Sequence, residues 1–245
     1  MIELKNVHKR FGQNVILKGL DLTVPDLENT VIIGYSGTGK SVLLKCIVGL
    51  LQPEEGTIAV DGRVVAELDR DELADLRGRV GYVFQFAALF DSMTVEDNIL
   101  LALRRRGMSE TEMNERVAEA LDMVRMSGTE AKYPAELSGG MRKRVGLARA
   151  MALRPAHILY DEPTTGLDPV TSAVMNQLMI RTRDLGVTGV VVTHDMKSAF
   201  EVADRIAMLY EGTIRQVGTV DEMRNSDDPI VRQFIEGRPE PEATT

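Results

Sequence analysis

The stretch Gly34-Tyr35-Ser36-Gly37-Thr38-Gly39-Lys40-Ser41 constrains this chain more than any other. It fits the phosphate-loop pattern G-x-x-x-x-G-K-S/T, and its flanks are those the loop requires. Thr30–Ile33 reads as a short buried strand. Lys40–Leu51 reads as a helix, stopped by Gln52-Pro53 and the Glu55-Gly56 turn. Glycines let successive backbone N–H groups turn inward around a β-phosphate, and the start of a helix adds unpaired donors and its dipole. In that chemistry Lys40 bridges the β- and γ-phosphates, and the Ser41 hydroxyl ligates Mg2+.

A strand feeding such a loop belongs to an open parallel sheet, and the rest of the chain agrees. Ile2, Leu4 and Val7, then Ile16, Leu20, Leu22 and Val24, alternate as strands do. Thr57–Val60 is a further strand, with Asp61-Gly62 as a hairpin turn. From Thr94 to Leu153 the pattern turns helical, with apolar residues three and four apart in Val95–Leu103, Glu110–Val124 and Met141–Leu153. Ser109 and Glu112 form a capping-box pair for the second of these. Alternation then returns as strand His157–Tyr160, helix Val170–Leu185, strand Gly189–Thr193, helix Met196–Ala203 and strand Arg205–Leu209. Strands alternating with helices imply right-handed crossovers and a mostly parallel α/β core, here with a helical insert. Residues 227–245 carry one apolar patch, Ile230, Val231, Phe234 and Ile235, and then pass into Pro-Glu-Pro-Glu, expected to be disordered at its tip.

Two further segments carry chemistry. His157–Glu162 is an apolar strand that delivers two acids at its carboxyl end, where open parallel sheets bind ligands. Asp161 would hold Mg2+, through water, and Glu162 would polarise the attacking water. Taken alone, paired acids after a strand are also common as the start of a solvated loop. Leu137-Ser138-Gly139-Gly140-Met141 places Ser138 as the N-cap of a helix, with two glycines that allow backbone to approach an anion. Locally it is equally an ordinary capped helix. With both segments the chain has two helix-start anion sites, whereas a nucleoside triphosphate has one γ-phosphate. A single ATP meets both if two chains pair head to tail.

The net charge of -8 disfavours a nucleic-acid partner, which needs a basic face. No apolar run approaches the ~20 residues of a bilayer span, and the charged Met1–Phe11 start is not a signal peptide. A lone cysteine, Cys46, sits among Leu43, Leu44, Ile47 and Val48 and reads as core. Together these features favour the cytosol. The Arg104–Arg106 run reads as a solvated helix end.

In order, Gly34–Ser41, Gln85, Leu137–Met141, Tyr160–Glu162, Gly166-Leu167-Asp168 and His194 resemble the motifs of the ABC-transporter ATPase family over residues 1–225. The resemblance implies a P-loop NTPase (RecA-like) core sheet with an N-terminal antiparallel β subdomain. Core and β lobe would occupy about 1–85 and 157–225, the inserted α-helical subdomain about 86–156, and a tail 226–245. It also implies ATP and Mg2+ as ligands and an ATP-sandwich dimer of two copies. Carried over position by position, Phe11 resembles the aromatic that stacks on adenine. Gln85 resembles the glutamine that senses Mg2+ and water. Ser138, Gly139, Gly140 and Met141 clamp the partner chain's γ-phosphate, Asp168 communicates across the dimer, and His194 contacts the γ-phosphate. Without the family, Phe11 also reads as core, Gln85 as solvated, and His194 as a packing or capping residue. Tyr35, Leu27 and Met141 stand where proline, a turn glycine and glutamine are frequent. None of these removes a donor or an acid, though Leu27 makes its turn hard to foresee.

Ala88–Ile99 and Asp228–Gly237 resemble segments of Mla-type ATPases, which energise phospholipid movement across the bacterial envelope. That implies a polytopic permease dimer, an external lipid-binding subunit, a small STAS-domain regulator, and a place on the cytoplasmic face of the inner membrane. In that family C-terminal tails reach the neighbouring ATPase, a use that the Ile230–Ile235 patch would suit. An importer of amino acids or ions is the alternative transporter. A soluble ABC ATPase acting on DNA or ribosomes would want a coiled-coil insert, a second cassette or a basic stripe. A P-loop kinase or switch would not need Ser138-Gly139-Gly140.

Overall fold

The computed structural model of the protein describes residues 1–104 and 107–238. Arg105 and Arg106 of the basic run, and the Pro-Glu-Pro-Glu end at 239–242, lie outside the described residues. In chain order the first elements are β1 (Ile2–Phe11), β2 (Asn14–Val24), β3 (Asn29–Ile33), α1 (Lys40–Ile47), β4 (Glu55–Val60), β5 (Arg63–Val64), α2 (Arg70–Arg79) and β6 (Val80–Val83). Then follow α3 (Val95–Leu103), α4 (Glu110–Met123), α5 (Gly139–Met151), β7 (His157–Asp161), α6 (Pro169–Asp184) and β8 (Thr188–Thr193). The last are α7 (Met196–Val202), β9 (Arg205–Tyr210), β10 (Thr213–Gly218), α8 (Val220–Arg224) and α9 (Pro229–Ile235). They fall into two compact units, one of Met1–Glu67 with the described residues from Val192 on, the other of Leu68–Val191.

In the first unit an antiparallel sheet runs β2-β1-β4-β5, with Ile2 opposite both Val24 and Val60. Its cause is period-two alternation. Ile2, Leu4, Val7, Leu17, Leu20, Leu22 and Val24 are buried, while Lys5, Lys18, Asp21 and Thr23 are exposed. The same unit holds β3 parallel to β9, Thr30 opposite Arg205 and Ile33 opposite Met208, with β10 antiparallel on β9. All five residues of β3 are buried, as befits a strand covered on both faces. The turn before it holds Leu27 at φ 64, left-handed backbone that a glycine adopts without strain. The Cys46 thiol is buried among the core side chains of α1, and burial pushes its pKa up to about 11, so it is packing rather than reactive.

The second unit pairs β6 parallel to β7, from Val80 opposite His157 to Val83 opposite Tyr160. Its helices begin where capping side chains stand. Thr94 caps α3, Ser138 caps α5, and Ser109 with Glu112 forms the expected capping box on α4. Helix α5 starts two residues before the expected Met141, because Ser138 caps at Gly139. Asn98 in α3 is fully buried and ties down the preceding segment. It accepts from the Phe90 N–H at 2.8 Å and donates to the carbonyls of Phe90, Met93 and Thr94. The whole is the expected α/β fold, one antiparallel sheet and one mixed, mostly parallel sheet with helices. No helix among the described residues is long and apolar enough to cross a membrane.

Candidate nucleotide site

The phosphate loop curls tightly between β3 and α1. Gly34 and Gly39 have φ 158 and 102. A Cβ on Gly34 would lie 2.4 Å from the Leu209 carbonyl oxygen, and one on Gly39 would lie 2.5 Å from Ile16 Cγ2. Only glycine fits at either place. The N-cap of α1 is Gly39 itself, which has no side chain to compete for the backbone donors at the helix start. Lys40 is buried, and its Nζ donates to the carbonyls of Gly34 at 2.7 Å and Tyr35 at 2.9 Å. A glycine-rich loop that runs into a helix start, with a buried ammonium beside it, is an arrangement that fits a phosphate. Ser36 and Gly37 are exposed, while Thr38 donates its hydroxyl to the Tyr35 carbonyl.

Tyr35 has a further connection. Its ring meets Phe234 of α9 edge to face, centroids 4.9 Å apart, and Tyr210 at 6.3 Å. Asp228 caps α9 through the N–H groups of Ile230 and Val231, and Arg215 of β10 holds Asp228 at 2.8 Å. Val231 is fully buried. Val231 and Phe234 of the apolar tail patch are thus used within this chain. Elsewhere in this unit Phe11 is 48 % exposed, with the Lys9 ammonium 5.3 Å from its ring centroid, so it stands as a surface ring rather than core. His194 is exposed at the end of β8, just before Asp195 caps α7.

In the second unit Asp161 and Glu162 are both buried at the end of β7. The Tyr82 hydroxyl on β6 donates to Asp161 Oδ2 at 3.0 Å. Burial and then the Asp161 charge raise the Tyr82 pKa well above its usual value, so it stays a donor. Glu162 has φ 49, and its Oε2 accepts from the Thr165 hydroxyl at 2.9 Å. Lys143 of α5 reaches the same turn, donating to the carbonyls of Glu162, Pro163 and Thr165 at 3.2, 3.0 and 2.7 Å. Burial pulls the Lys143 pKa down to about 8, with the Glu162 carboxylate opposing the shift. Gln85 is half-buried just past β6. Within the second unit Gln85 and Asp161 offer amide and carboxylate oxygens, and within the first Ser41 offers a hydroxyl, each a hard donor of the kind that Mg2+ takes.

At the start of α5 the Ser138 hydroxyl accepts from the Met141 N–H at 3.2 Å. The two glycines differ in kind. Gly139 is exposed, with no atom nearer to a built Cβ than 4.0 Å, whereas a Cβ on buried Gly140 would meet Thr171 Cγ2 at 2.2 Å. Gly139 is therefore open to a ligand, and Gly140 is small so that α5 can pack on α6. Asp168 caps α6 through the N–H groups of Val170 and Thr171, and the Thr171 hydroxyl chiefly holds its carboxyl below the usual range. Tyr82, Lys143 and Thr165 escaped the sequence reading, and Phe234 entered it only as part of the apolar tail patch. Lys143 had a signal: it lies on the buried stripe of α5 with Gly140, Gly146 and Leu147, an odd place for a lysine unless it has partners.

Comparison with known proteins shows the family of the chain. The sequence profile of the ABC transporter family matches residues 17–165. A probable ribonucleotide transport ATP-binding protein of Mycobacterium leprae is 43 % identical over 97 % of this chain and 69 % of its own. The chloroplastic protein Trigalactosyldiacylglycerol 3 of Arabidopsis thaliana is 41 % identical over 97 % of this chain and 74 % of its own. Among solved structures, the dimeric post-hydrolysis state of the ATP-binding cassette MJ0796, bound to ADP and Pi, superposes with a TM-score of 0.82. It is 36 % identical and covers 90 % of this chain and 99 % of that one.

Proposed function

The chain belongs to the ABC transporter family and is an ATPase, and from there we propose that it drives a membrane permease that moves phospholipid across the bacterial envelope. The observation that carries the reading is the pair of helix starts in one chain, the Gly34–Ser41 loop and the exposed Ser138-Gly139 cap. The first takes the phosphates of one ATP, and the second takes the γ-phosphate of the ATP held by another copy, head to tail. Lys40 exchanges its two loop carbonyls for phosphate oxygens, Phe11 stacks on the adenine, and His194 contacts the γ-phosphate. Glu162 polarises the attacking water and takes its proton, a role worth roughly 10²–10⁴ in rate. Mg2+, when bound, neutralises phosphate charge, with Ser41, Gln85 and Asp161 as its residues and Asp161 acting through water. Asp168 relays between the two copies.

The helical subdomain, about 86–156, faces the membrane partner. Phe86 is 86 % exposed, and Phe90 stands out from the segment that Asn98 holds rigid, an apolar knob fit for a permease cleft. The resemblance of Ala88–Ile99 and Asp228–Gly237 to Mla-type segments supports phospholipid as the cargo, and the Arabidopsis relative's name, that of a galactolipid, supports a lipid more broadly. The complete assembly would hold two copies under a permease dimer at the inner membrane, with an external lipid-binding subunit and a STAS-domain regulator. Purifying the chain with its membrane partner and identifying bound small molecules by mass spectrometry tests this. Phospholipid in stoichiometric amount, and Mg-ATP hydrolysis stimulated by phospholipid vesicles, is the expected result. A bound ribonucleotide or amino acid without lipid would overturn the cargo and leave the ATPase standing.

A further inference from the structure

We infer that Lys143 is a positioning residue for hydrolysis, a strut from helix α5 that fixes the backbone of the Glu162 turn. The inference rests on the reading of Glu162 as the residue that polarises water. After β7 the chain turns sharply, and Glu162 takes up left-handed backbone at φ 49. That conformation strains a residue with a Cβ by about 1–3 kcal/mol, and it persists only where the surroundings enforce it. Here the enforcement is visible. The carbonyls of Glu162, Pro163 and Thr165 converge on the Lys143 ammonium, one for each of its three donors.

The chemistry explains why a lysine is buried at this place. Lys143 is 7 % exposed, and a charge so far from water is retained where fixed dipoles replace its hydration. Three carbonyl oxygens within 3.2 Å are such dipoles. The ordering passes outward to the carboxylate, because the Thr165 hydroxyl that donates to Glu162 Oε2 rides on the same turn. Backbone held by Lys143 therefore sets the donor that aims the Glu162 side chain. The strut has a stiff base. Lys143 stands little more than one turn past the Ser138 cap, and farther along α5 Arg149 donates to the carbonyls of Ala87 and Ala88 at 2.9 and 2.7 Å. One helix thus grips both the turn after β7 and the segment after Gln85.

Removing the donors while keeping the volume is the direct perturbation. In the full-length chain with Mg-ATP, Lys143→Met should lower kcat by about ten- to a hundredfold, the scale set by ångström misplacement of a reacting group. ATP affinity and KM should stay within about twofold. A merely structural lysine would lower the active fraction, measured by bound-nucleotide stoichiometry, and leave kcat per active site intact. Lys143→Gln, which keeps two donors, should fall between the two and serves as the readout if Lys143→Met does not fold. Double variants decide the route. Lys143→Met added to Glu162→Gln should cost nothing further in the residual rate. Full turnover in Glu162→Gln alone would refute the reading of Glu162. A dead Glu162→Gln beside Lys143 variants of unchanged kcat, or additive losses in the double variant, would overturn the strut.

Discussion

Truncating Phe234 should weaken ATP binding, although the residue lies in the C-terminal helix and nearly two hundred positions from the phosphate loop in sequence. The connection is the ring of Tyr35, which Phe234 meets at 4.9 Å and 79°. The Tyr35 carbonyl accepts from Lys40 Nζ and from the Thr38 hydroxyl, both at 2.9 Å, so the ring and the loop backbone move together. An edge-to-face pair is worth about 0.5–1.5 kcal/mol beyond its buried area. If that energy orders the loop for phosphate, Phe234→Ala loses it from binding, and at 1.4 kcal/mol per decade Kd rises about 2- to 12-fold. Phe234→Tyr, which keeps a ring at the same place, should retain affinity. Titration of a fluorescent ATP analogue measures both, with thermal unfolding as a control for the helix itself. An unchanged Kd in Phe234→Ala, or an equal loss in Phe234→Tyr, would refute the coupling.

Two other perturbations test the reading of strain and of the acid pair. Leu27 is 63 % exposed at φ 64, so Leu27→Gly gives up little burial. It relieves about 1–2 kcal/mol of left-handed strain against about 0.5–1 kcal/mol of added chain entropy. The variant should be more stable by up to about 1.5 kcal/mol in thermal or denaturant unfolding, and a lower midpoint would contradict this. Tyr82→Phe removes a donor from the buried Asp161 carboxylate, a loss of about 1.5–3 kcal/mol for a bond to a charged group. The loss should shrink in Mg-ATP, where a cation compensates the acid. Equal destabilisation with and without Mg-ATP would mean that Asp161 does not meet the metal.

Much of this was legible because the residues involved answer to local rules. The phosphate loop needs glycine at Gly34 and Gly39 for steric reasons, and the caps at Ser109 and Ser138 act within their own first turn. Helix α2 was not legible. It buries only Leu76, so no apolar period marks it, and its one signal is the Asp69–Glu72 capping box. The strand β10 and helix α8 went unread for a related reason, since the strand is largely exposed and the helix is five residues long. Within the site, the sequence pointed to the residues that would touch nucleotide and missed those that hold them. Tyr82, Lys143 and Phe234 act through partners 79, 19 to 22 and 199 positions away in sequence, which no local pattern encodes. Gly140 carries a further constraint of the same non-local kind, since a Cβ there would meet the Thr171 methyl.

The central claim is that one ATP is held by the phosphate loop of one copy and the Ser138 helix of another. Glu162→Gln should bind Mg-ATP without consuming it and elute from a sizing column at about twice the 27.1 kDa of the single chain. Adding Ser138→Arg to that variant should return it to a monomer that still binds ATP. A Glu162→Gln chain that stays monomeric in saturating Mg-ATP, or a dimer that survives Ser138→Arg, would contradict the account.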